Sequence, residues 1–443
     1  VKRVLILSYF FPPCNLTASQ RAYSWARYLK GLGYFPVIIT RRWDVEIEEQ
    51  KFLSGATRPG ILHEVHDHYE VYYLPYKPNM RDRIYFRFGD HRFTLLRKMY
   101  SLWEILSQNL TNQFIPFRNM FHFSDSYLKA HPDTCCLIAT GHPFILFKFA
   151  YLLNKKFSVP WIADYRDAWT TSTISKINRG YLAEAINIWD RRFEKKWCRT
   201  ATAVTSVSGS ILKGIKQFIG VSKGEVIENG YFEDEIPPLA NGQPGGPFTI
   251  TYVGTLFSGQ QPEMFEQAFR RFVSGKNPEQ VRLKFLGLGY LDTQVSRIRT
   301  LYAGLESFIE ITSRIPRGEA LKEEKQSHVM LHFAWKNFSG IIGSKLYEYI
   351  ALGKPIIICP SDEDIVEQIL TPYNMAFICK SEDDALKYLN HLYTLHCSGR
   401  YHELVPDAEY QARFTRFEQT KKLANLLDAI CNETANRESL QNG

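Results

Sequence analysis

Apolar positions along the chain switch between two periods. Short β-rich runs alternate with longer stretches in which apolar residues recur every third or fourth position. Val4–Leu7 is the first short run, bounded by Pro12-Pro13. In "ASQRAYSWARYLKGLG", Ala22, Trp25, Ala26 and Leu29 share a helical face, and Gly31 and Gly33 supply the stop. "FPVIIT" is the next strand. A strand–helix–strand opening predicts a parallel sheet with helices on its faces.

The rhythm resumes after residue 134. "CCLIAT", "VPWIAD", "AVTSVS" and "GEVIENG" read as strands. "PFILFKFAYLLNKKF", "YLAEAINIWDRRFEKKWCRTA" and "GSILKGIKQFI" read as the helices between them. The stretch "EDEIPPLANGQPGGP" is rich in Pro, Gly and acid, has no periodicity and reads as a connector. Then the pattern restarts. Strands are expected at "FTITYVGT", "VRLKFLGLG", "SFIEITS", "HVMLHF" and "KPIIICP". Helices are expected at "PEMFEQAFRRFV", "RGEALKEEKQ", "GSKLYEYIAL" and "SEDDALKYLNHLY". The chain is therefore expected to be α/β, with two Rossmann-like domains facing across a cleft. The first spans 1–235, the linker 236–247 and the second 248–405, with a terminal helical segment at 406–443. Sheets of this kind bind ligands beyond the carboxyl ends of their strands.

Residues of about 80–125 break the alternation. Arg81, Arg83, Arg87, Arg92, Arg97 and Lys98 outnumber Asp82 and Asp90 and are interleaved with Phe, Tyr, Leu and Trp. A basic, aromatic, amphipathic insert suits an anionic membrane surface. The alternative is an insert that packs its aromatic side chains against the first domain.

Composition narrows the class. A chain of 443 residues with 45% hydrophobic and 23% charged residues is an ordinary globular protein too long for one core. A formal charge of +8 suits phosphate-bearing substrates or an anionic surface, and it is not gathered into a nucleic-acid-binding arm. Eight cysteines, none in a CxxC spacing, read as buried free thiols, which points to a cytoplasmic protein without a metal site. The apolar core of "VKRVLILSYFFPP" is too short for a signal peptide, and no run reaches the length of a membrane span.

Candidate chemistry concentrates in "IIGSKLYEYIALGKPIIICP". Lys345 falls in the first turn of a helix, where the dipole disfavours a cation. Gly343 and Ser344 let that helix begin close to a ligand, with N–H groups aimed outward as an anion site. Glu348, one turn on, is an acceptor suited to paired ribose hydroxyls. The same residues also make a simple i,i+3 ion pair.

"SKLYEYIALGKPIIICP" after "HVMLHF" resembles the nucleotide-sugar site of family-4-type glycosyltransferases of the GT-B fold. "ILSYFFPPCNLTASQRAYSWARYLKGLGYFPVIIT", "VPWIADYRDAW", "AVTSVSGSI" with "VIENGYF", and "ITYVGTLFSGQQPEMFEQAF" match other segments of that family in order. The resemblance covers roughly 1–40 and 135–385. It implies a retaining, metal-independent hexosyl transfer from a nucleotide-sugar to an acceptor hydroxyl, as in cell-surface polysaccharide or glycolipid synthesis, with no cofactor. The acceptor would be a glycan or lipid-linked, and the enzyme would sit at the inner face of the membrane. By position, Glu348 would hold the ribose, and Gly343, Ser344 and Lys345 would neutralise the diphosphate. Gly254 and Thr255 would lie near the phosphates, and Arg314 and Ile315 would line the base pocket. The last helix would cross back to the first domain, with closure hinged at 233–247.

Departures accompany the match. The family's first glutamate falls on Gly340, its usual Arg and Lys are missing from "GTLFSGQQPE", its glycine pair is Thr17-Ala18, and a frequent His-Asp is Arg166-Asp167. Asp167 and Asp164 are candidates for orienting the acceptor or taking its proton, with Arg166 pairing either. The alternative is a structural ion-pair turn. His142, after a strand, and Ser19 and Arg21, at the first helix, are candidates to face the cleft; Ser19 is equally a cap candidate. Two other functions fit the same pocket: a nucleotide-sugar epimerase, and a non-catalytic scaffold. "FLGLG" lacks the third glycine of a dinucleotide fingerprint, since Asp292 stands there.

Overall fold

A computed structural model describes residues 1–44, 53–89, 92–112, 114–172, 180–237 and 245–441. Asp90 and most of the expected linker lie outside the described residues. The chain divides into two compact units, Val1–Ile227 with Thr420–Gly443, and Glu228–Gln419.

The first unit carries strands β1 (Lys2–Leu7), β2 (Tyr34–Arg41), β3 (Leu62–Val65), β4 (Glu70–Leu74), β5 (Thr134–Gly141), β6 (Trp161–Tyr165), β7 (Ala203–Ser206) and β8 (Gly224–Val226). Their order is β3-β4-β2-β1-β5-β6-β7-β8. Only β3 runs antiparallel, at the edge against β4. The helices are α1 (Ala18–Tyr28), α2 (Met80–Phe88), α3 (Thr94–Leu110), α4 (Asn119–Ala130), α5 (Ile145–Phe157), α6 (Tyr181–Cys198) and α7 (Gly209–Ile219).

The β1 sequence shows why the sheet is covered on both faces. Side chains alternate across a strand. Leu5 and Leu7 join a core with residues of α4, α5, α6 and α7. Val4 and Ile6 join a second core with Ala22, Trp25 and Ala26 of α1 and with Leu423, Leu427 and Ile430. Every one of these four β1 side chains is fully buried. The α7 helix starts where the Ser208 hydroxyl accepts a hydrogen bond from the Ile211 amide and stops at Gly220 in the left-handed region.

The second unit is all parallel: β9 (Phe248–Val253), β10 (Val281–Leu286), β11 (Ile309–Ile311), β12 (Val329–His332), β13 (Ile356–Ile358) and β14 (Ala376–Ile378). The order β11-β10-β9-β12-β13-β14 reverses direction between β9 and β12. This is the doubly wound Rossmann order. Its helices are α8 (Glu263–Val273), α9 (Asp292–Leu301), α10 (Arg317–Gln326), α11 (Lys345–Ala351), α12 (Ile365–Leu370), α13 (Glu382–Cys397) and α14 (Ala408–Ala412). A last helix, α15 (Arg416–Gln441), starts in this unit and continues from Thr420 in the first.

Two boundaries differ from the sequence expectation. The units part at Ile227/Glu228 rather than at 235. The physical reason is local pairing: the Tyr231 amide donates to the Phe414 carbonyl at 3.0 Å, and the Arg416 amide donates to the Tyr231 carbonyl at 2.7 Å. Gly230 is needed there, with φ at +61° and the Phe414 carbonyl oxygen 2.4 Å from where a Cβ would stand. Residues 406–419 likewise belong to the second unit, where the Gln411 side chain bonds the Ile350 carbonyl. The thiol reading also needs correction at two positions: Cys397 is exposed and Cys135 half-buried.

Candidate functional site

In a doubly wound sheet ligands bind beyond the carboxyl ends of the strands where the order reverses, here between β9 and β12. Residues 333–344 leave β12 there and lead into α11. Gly343 is exposed, and the His332 ring lies 3.6 Å from the position of a Cβ on it. Burial pushes the His332 imidazole down to about 4, so it is neutral at physiological pH. The backbone N–H groups of Gly343, Ser344 and Lys345 donate to no protein acceptor among the described residues.

Lys345 is not solitary. Its Nζ donates to Glu348 Oε2 at 2.6 Å and to Glu324 Oε1 at 3.0 Å. Arg317, the first residue of α10, bonds the other Glu348 oxygen, and its Nε donates to Glu235 Oε2 at 2.8 Å. Three carboxylates thus meet two cations. The Glu348 side chain is only 4% exposed. Burial pushes its carboxyl up, but Lys345 and Arg317 outweigh that and hold it below its usual range. Burial likewise pushes Lys345 down, and the two glutamates reverse the sign and raise it. Glu324 is different. Burial dominates and lifts it to about 7 despite Lys345, and its Oε2 is buried without a partner.

Several expectations for this site change. The α11 helix is seven residues long, not ten, so its dipole is short. The cation in its first turn is balanced by Glu348 of its own helix and Glu324 of α10, which is why it is tolerated there. Gly254 takes a φ of +108° beside open space, but its amide already donates to the Leu286 carbonyl at 2.9 Å. The Thr255 carbonyl accepts from the Tyr252 hydroxyl at 2.9 Å. The Gly254 amide is therefore not left over for a phosphate, while the donors of Thr255 are its amide and hydroxyl, not the carbonyl that Tyr252 occupies. In the following loop Gln294 accepts from the Leu256 amide and Gln260 from the Phe257 amide. Side-chain amides therefore close the segment where the resemblance leads one to expect Arg and Lys. Arg314 is exposed, while Ile315 packs against the core that contains Leu346 and Ile350. The cation that reaches Glu348 is Arg317. Sequence reasoning missed Arg317, Glu324 and His332. The visible signal was a lone arginine at a helix start after a strand. Gly340, at the first-glutamate position, has a φ of +79° and donates its amide to Asp364 Oδ2 at 2.6 Å.

The candidates of the first unit separate into two groups. Asp164 and Arg21 form a buried pair: Arg21 Nη2 donates to Asp164 Oδ1 at 2.6 Å and Nε to Oδ2 at 3.0 Å. Thr205 also donates to Asp164 Oδ1 at 2.7 Å, and Arg21 Nη1 reaches the Ile227 carbonyl. Asp164 has no exposure, so its carboxylate is out of reach of an acceptor. It is a structural counterion, and Arg21 ties α1 to β6. Ser19 is buried, and its hydroxyl donates to the Leu16 carbonyl at 2.7 Å, so it is neither a ligand group nor the α1 cap, which is Thr17.

His142, Arg166 and Asp167 are brought together beyond the carboxyl ends of β5 and β6. The Asp167 side chain is 70% exposed and lies 3.7 Å from Arg166 Nη2. His142 presents an accessible edge but stacks on Phe144, with ring centroids 5.4 Å apart. Desolvation, and then the Arg166 cation, lower its pKa, while Asp167 opposes them. A largely neutral imidazole and a solvent-facing carboxylate are groups that can accept a proton.

No protein-family model matches the chain, and no curated protein does either. Solved structures do. A trehalose-phosphate synthase (UDP-forming) from Burkholderia vietnamiensis is similar at a TM-score of 0.61 and 13% identity, covering 98% of this chain and 100% of that one. A glycosyltransferase from Rickettsia africae gives 0.57 and 12%, with 97% and 98% covered. Anabaena HepE, solved with UDP-glucose, gives 0.57 and 11%, with 97% and 100% covered. Two parallel-sheet domains over the full length of such neighbours give this chain the GT-B glycosyltransferase fold.

Proposed function

We propose that this protein is a glycosyltransferase that moves a hexose from a nucleotide-sugar donor to the hydroxyl of a glycan or lipid-linked acceptor. One observation carries the reading. At the strand-order reversal of the second unit, an exposed glycine and a row of unpaired N–H groups adjoin a buried Glu348 clamped by Arg317 and Lys345. A carboxylate has about four acceptor sites, so Glu348 can hold both cations and still take a ribose hydroxyl. The amides and the two cations would stabilise charge on a departing nucleoside diphosphate, without a metal ion. In the first unit, Asp167 and His142 are the groups available to orient the acceptor or take its proton. A retaining course and a role in cell-surface polysaccharide or glycolipid synthesis come from the family resemblance. The exposed basic and aromatic helices α2 and α3 support peripheral association with an anionic membrane. Among the described residues no helix is long and apolar enough to span one.

Thermal unfolding with a panel of nucleoside diphosphates and their sugars tests the donor site. A ligand at a hundred times its Kd stabilises the fold by about 2.7 kcal/mol. The expected result is a shift with one base class, weakened about tenfold in affinity by Glu348→Gln, the loss of one charge-assisted hydrogen bond. No shift with any nucleoside diphosphate would remove the reading. The anomeric configuration of the product settles the stereochemical part.

A further inference from the structure

The first unit contains a cavity of about 640 Å³ that none of the proposed donor or acceptor groups lines. It lies between α2, α3 and the start of α4. That volume falls within the roughly 300–1,000 Å³ of small-molecule sites. Its apolar walls include Tyr100, Trp103, Phe114 and Ile115, and its cations are Lys77, Arg81 and Arg118. Trp103 and Phe114 meet edge to face, with centroids 5.8 Å apart.

Three features say what would fill it. The first is charge. Glu104 is the one acid in the lining; it accepts from Asn79 Nδ2 at 2.6 Å and faces Arg81 at 3.8 Å. Arg81 is also paired to Asp82. Lys77 is exposed and has no partner among the described residues, and Arg118 is exposed at the same lining. The surplus is positive. The second is an unpaired acceptor. Asn119 donates from Nδ2 to the Pro75 carbonyl at 2.7 Å, which leaves its buried Oδ1 without a donor. The third is continuity with an exposed apolar stripe. On α3, Leu95, Met99 and Trp103 are spaced by one turn each and are 74%, 61% and 57% exposed. The stripe ends on Trp103, which lines the cavity itself. Arg83 and Arg87 of α2, Arg92 between the two helices and Lys98 of α3 are all exposed.

We propose that this cavity binds an anionic amphiphile: one alkyl chain along Trp103, Phe114 and Tyr100, and a phosphate bearing a hydroxyl group at Lys77, Arg118 and Asn119. The stripe on α3 would rest on the membrane from which such a molecule enters. The inference rests on the membrane-side part of the proposed function and is independent of the nucleotide site.

Calorimetric titration of the full chain with monomeric lauroyl-lysophosphatidylglycerol tests it, against glycerol phosphate as head alone and dodecyl maltoside as uncharged chain. The lysolipid is expected to bind at least about tenfold more tightly than either. Lys77→Glu and Trp103→Ala, both at exposed positions, should each weaken it by about tenfold. Leu95→Ser should leave lysolipid affinity unchanged while lowering flotation of the protein with phosphatidylglycerol vesicles. Equal binding of dodecyl maltoside would overturn the anionic head. Loss of lysolipid binding in Leu95→Ser as large as in Trp103→Ala would overturn the cavity in favour of surface adsorption. Nucleotide-induced thermal shifts in the same variants separate these outcomes from failure of the donor site.

Discussion

Lys345 shows how one residue's role depends on partners distant in sequence. Its pairing with Glu348 was legible at i,i+3, but its pairing with Glu324 was not, because β12 and the segment after it separate α10 from α11 in sequence. The consequence is testable through Glu324. Its folded pKa, about 7, lies above the ordinary 4.5, so between those values the folded state holds a proton that the unfolded chain has lost. That contribution favours the folded state at low pH and is lost as pH rises through about 7. Glu324→Gln removes it. Urea titrations should therefore show wild-type stability falling relative to Glu324→Gln between about pH 4.5 and 7, by roughly 1–3 kcal/mol. Parallel pH profiles for the two proteins would show that Glu324 does not hold that proton.

At the scale of elements, strong periodicity predicted well and weak periodicity did not. The run at Val4–Leu7 is a strand whose alternate side chains enter opposite cores, while those at Phe248–Val253 and Val281–Leu286 send Phe248, Ile250, Tyr252, Val281, Leu283 and Phe285 into one core. The reading passed over β3, whose residues are mostly exposed, and α9, where only Ile298 is buried, and also β4, β14 and α12, which are only three to six residues long. An element that buries one face thinly leaves little pattern to read. The stretch "DYRDAW" contained both of its alternatives. Asp164 is structural and Asp167 solvent-facing, since β6 is buried on both faces and ends at Tyr165, before Asp167. Arg21→Ala should accordingly destabilise the first unit by about 3–5 kcal/mol, since it strands a buried Asp164 carboxylate. The double replacement Arg21→Met with Asp164→Leu should cost less. Equal losses in denaturant midpoint would show that the charge pair is not what holds α1 to β6.

For the whole molecule, the restart of the strand–helix rhythm announced two domains, but the Pro- and Gly-rich stretch lies beyond the divide at Ile227/Glu228. The true divide is set by Tyr231 pairing with Phe414 and Arg416, contacts between segments far apart in sequence. The return of the chain from Thr420 makes the first unit discontinuous. Leu423, Leu427 and Ile430 complete the core around Val4, Ile6 and Trp25. A chain ending at Gln419 should lose cooperative unfolding of the first unit and bind a hydrophobic dye, whereas unfolding of the second unit, followed by far-UV circular dichroism, should persist. Retention of both transitions would show that the returning helix is dispensable.

By itself the sequence determined the α/β class, the two sheets, the helix faces and the position of Glu348 and Lys345 on one helix. These follow from periods of two and 3.6 residues, which are local. Tertiary structure alone decided which charges are free. It buried Asp164 under Arg21, joined Arg317 and Glu324 to the glutamate and lysine, closed the Gly254 loop with glutamines and hollowed a cavity beneath α3. The charge pairings depend on contacts between groups 21 to 143 residues apart, which no local pattern carries.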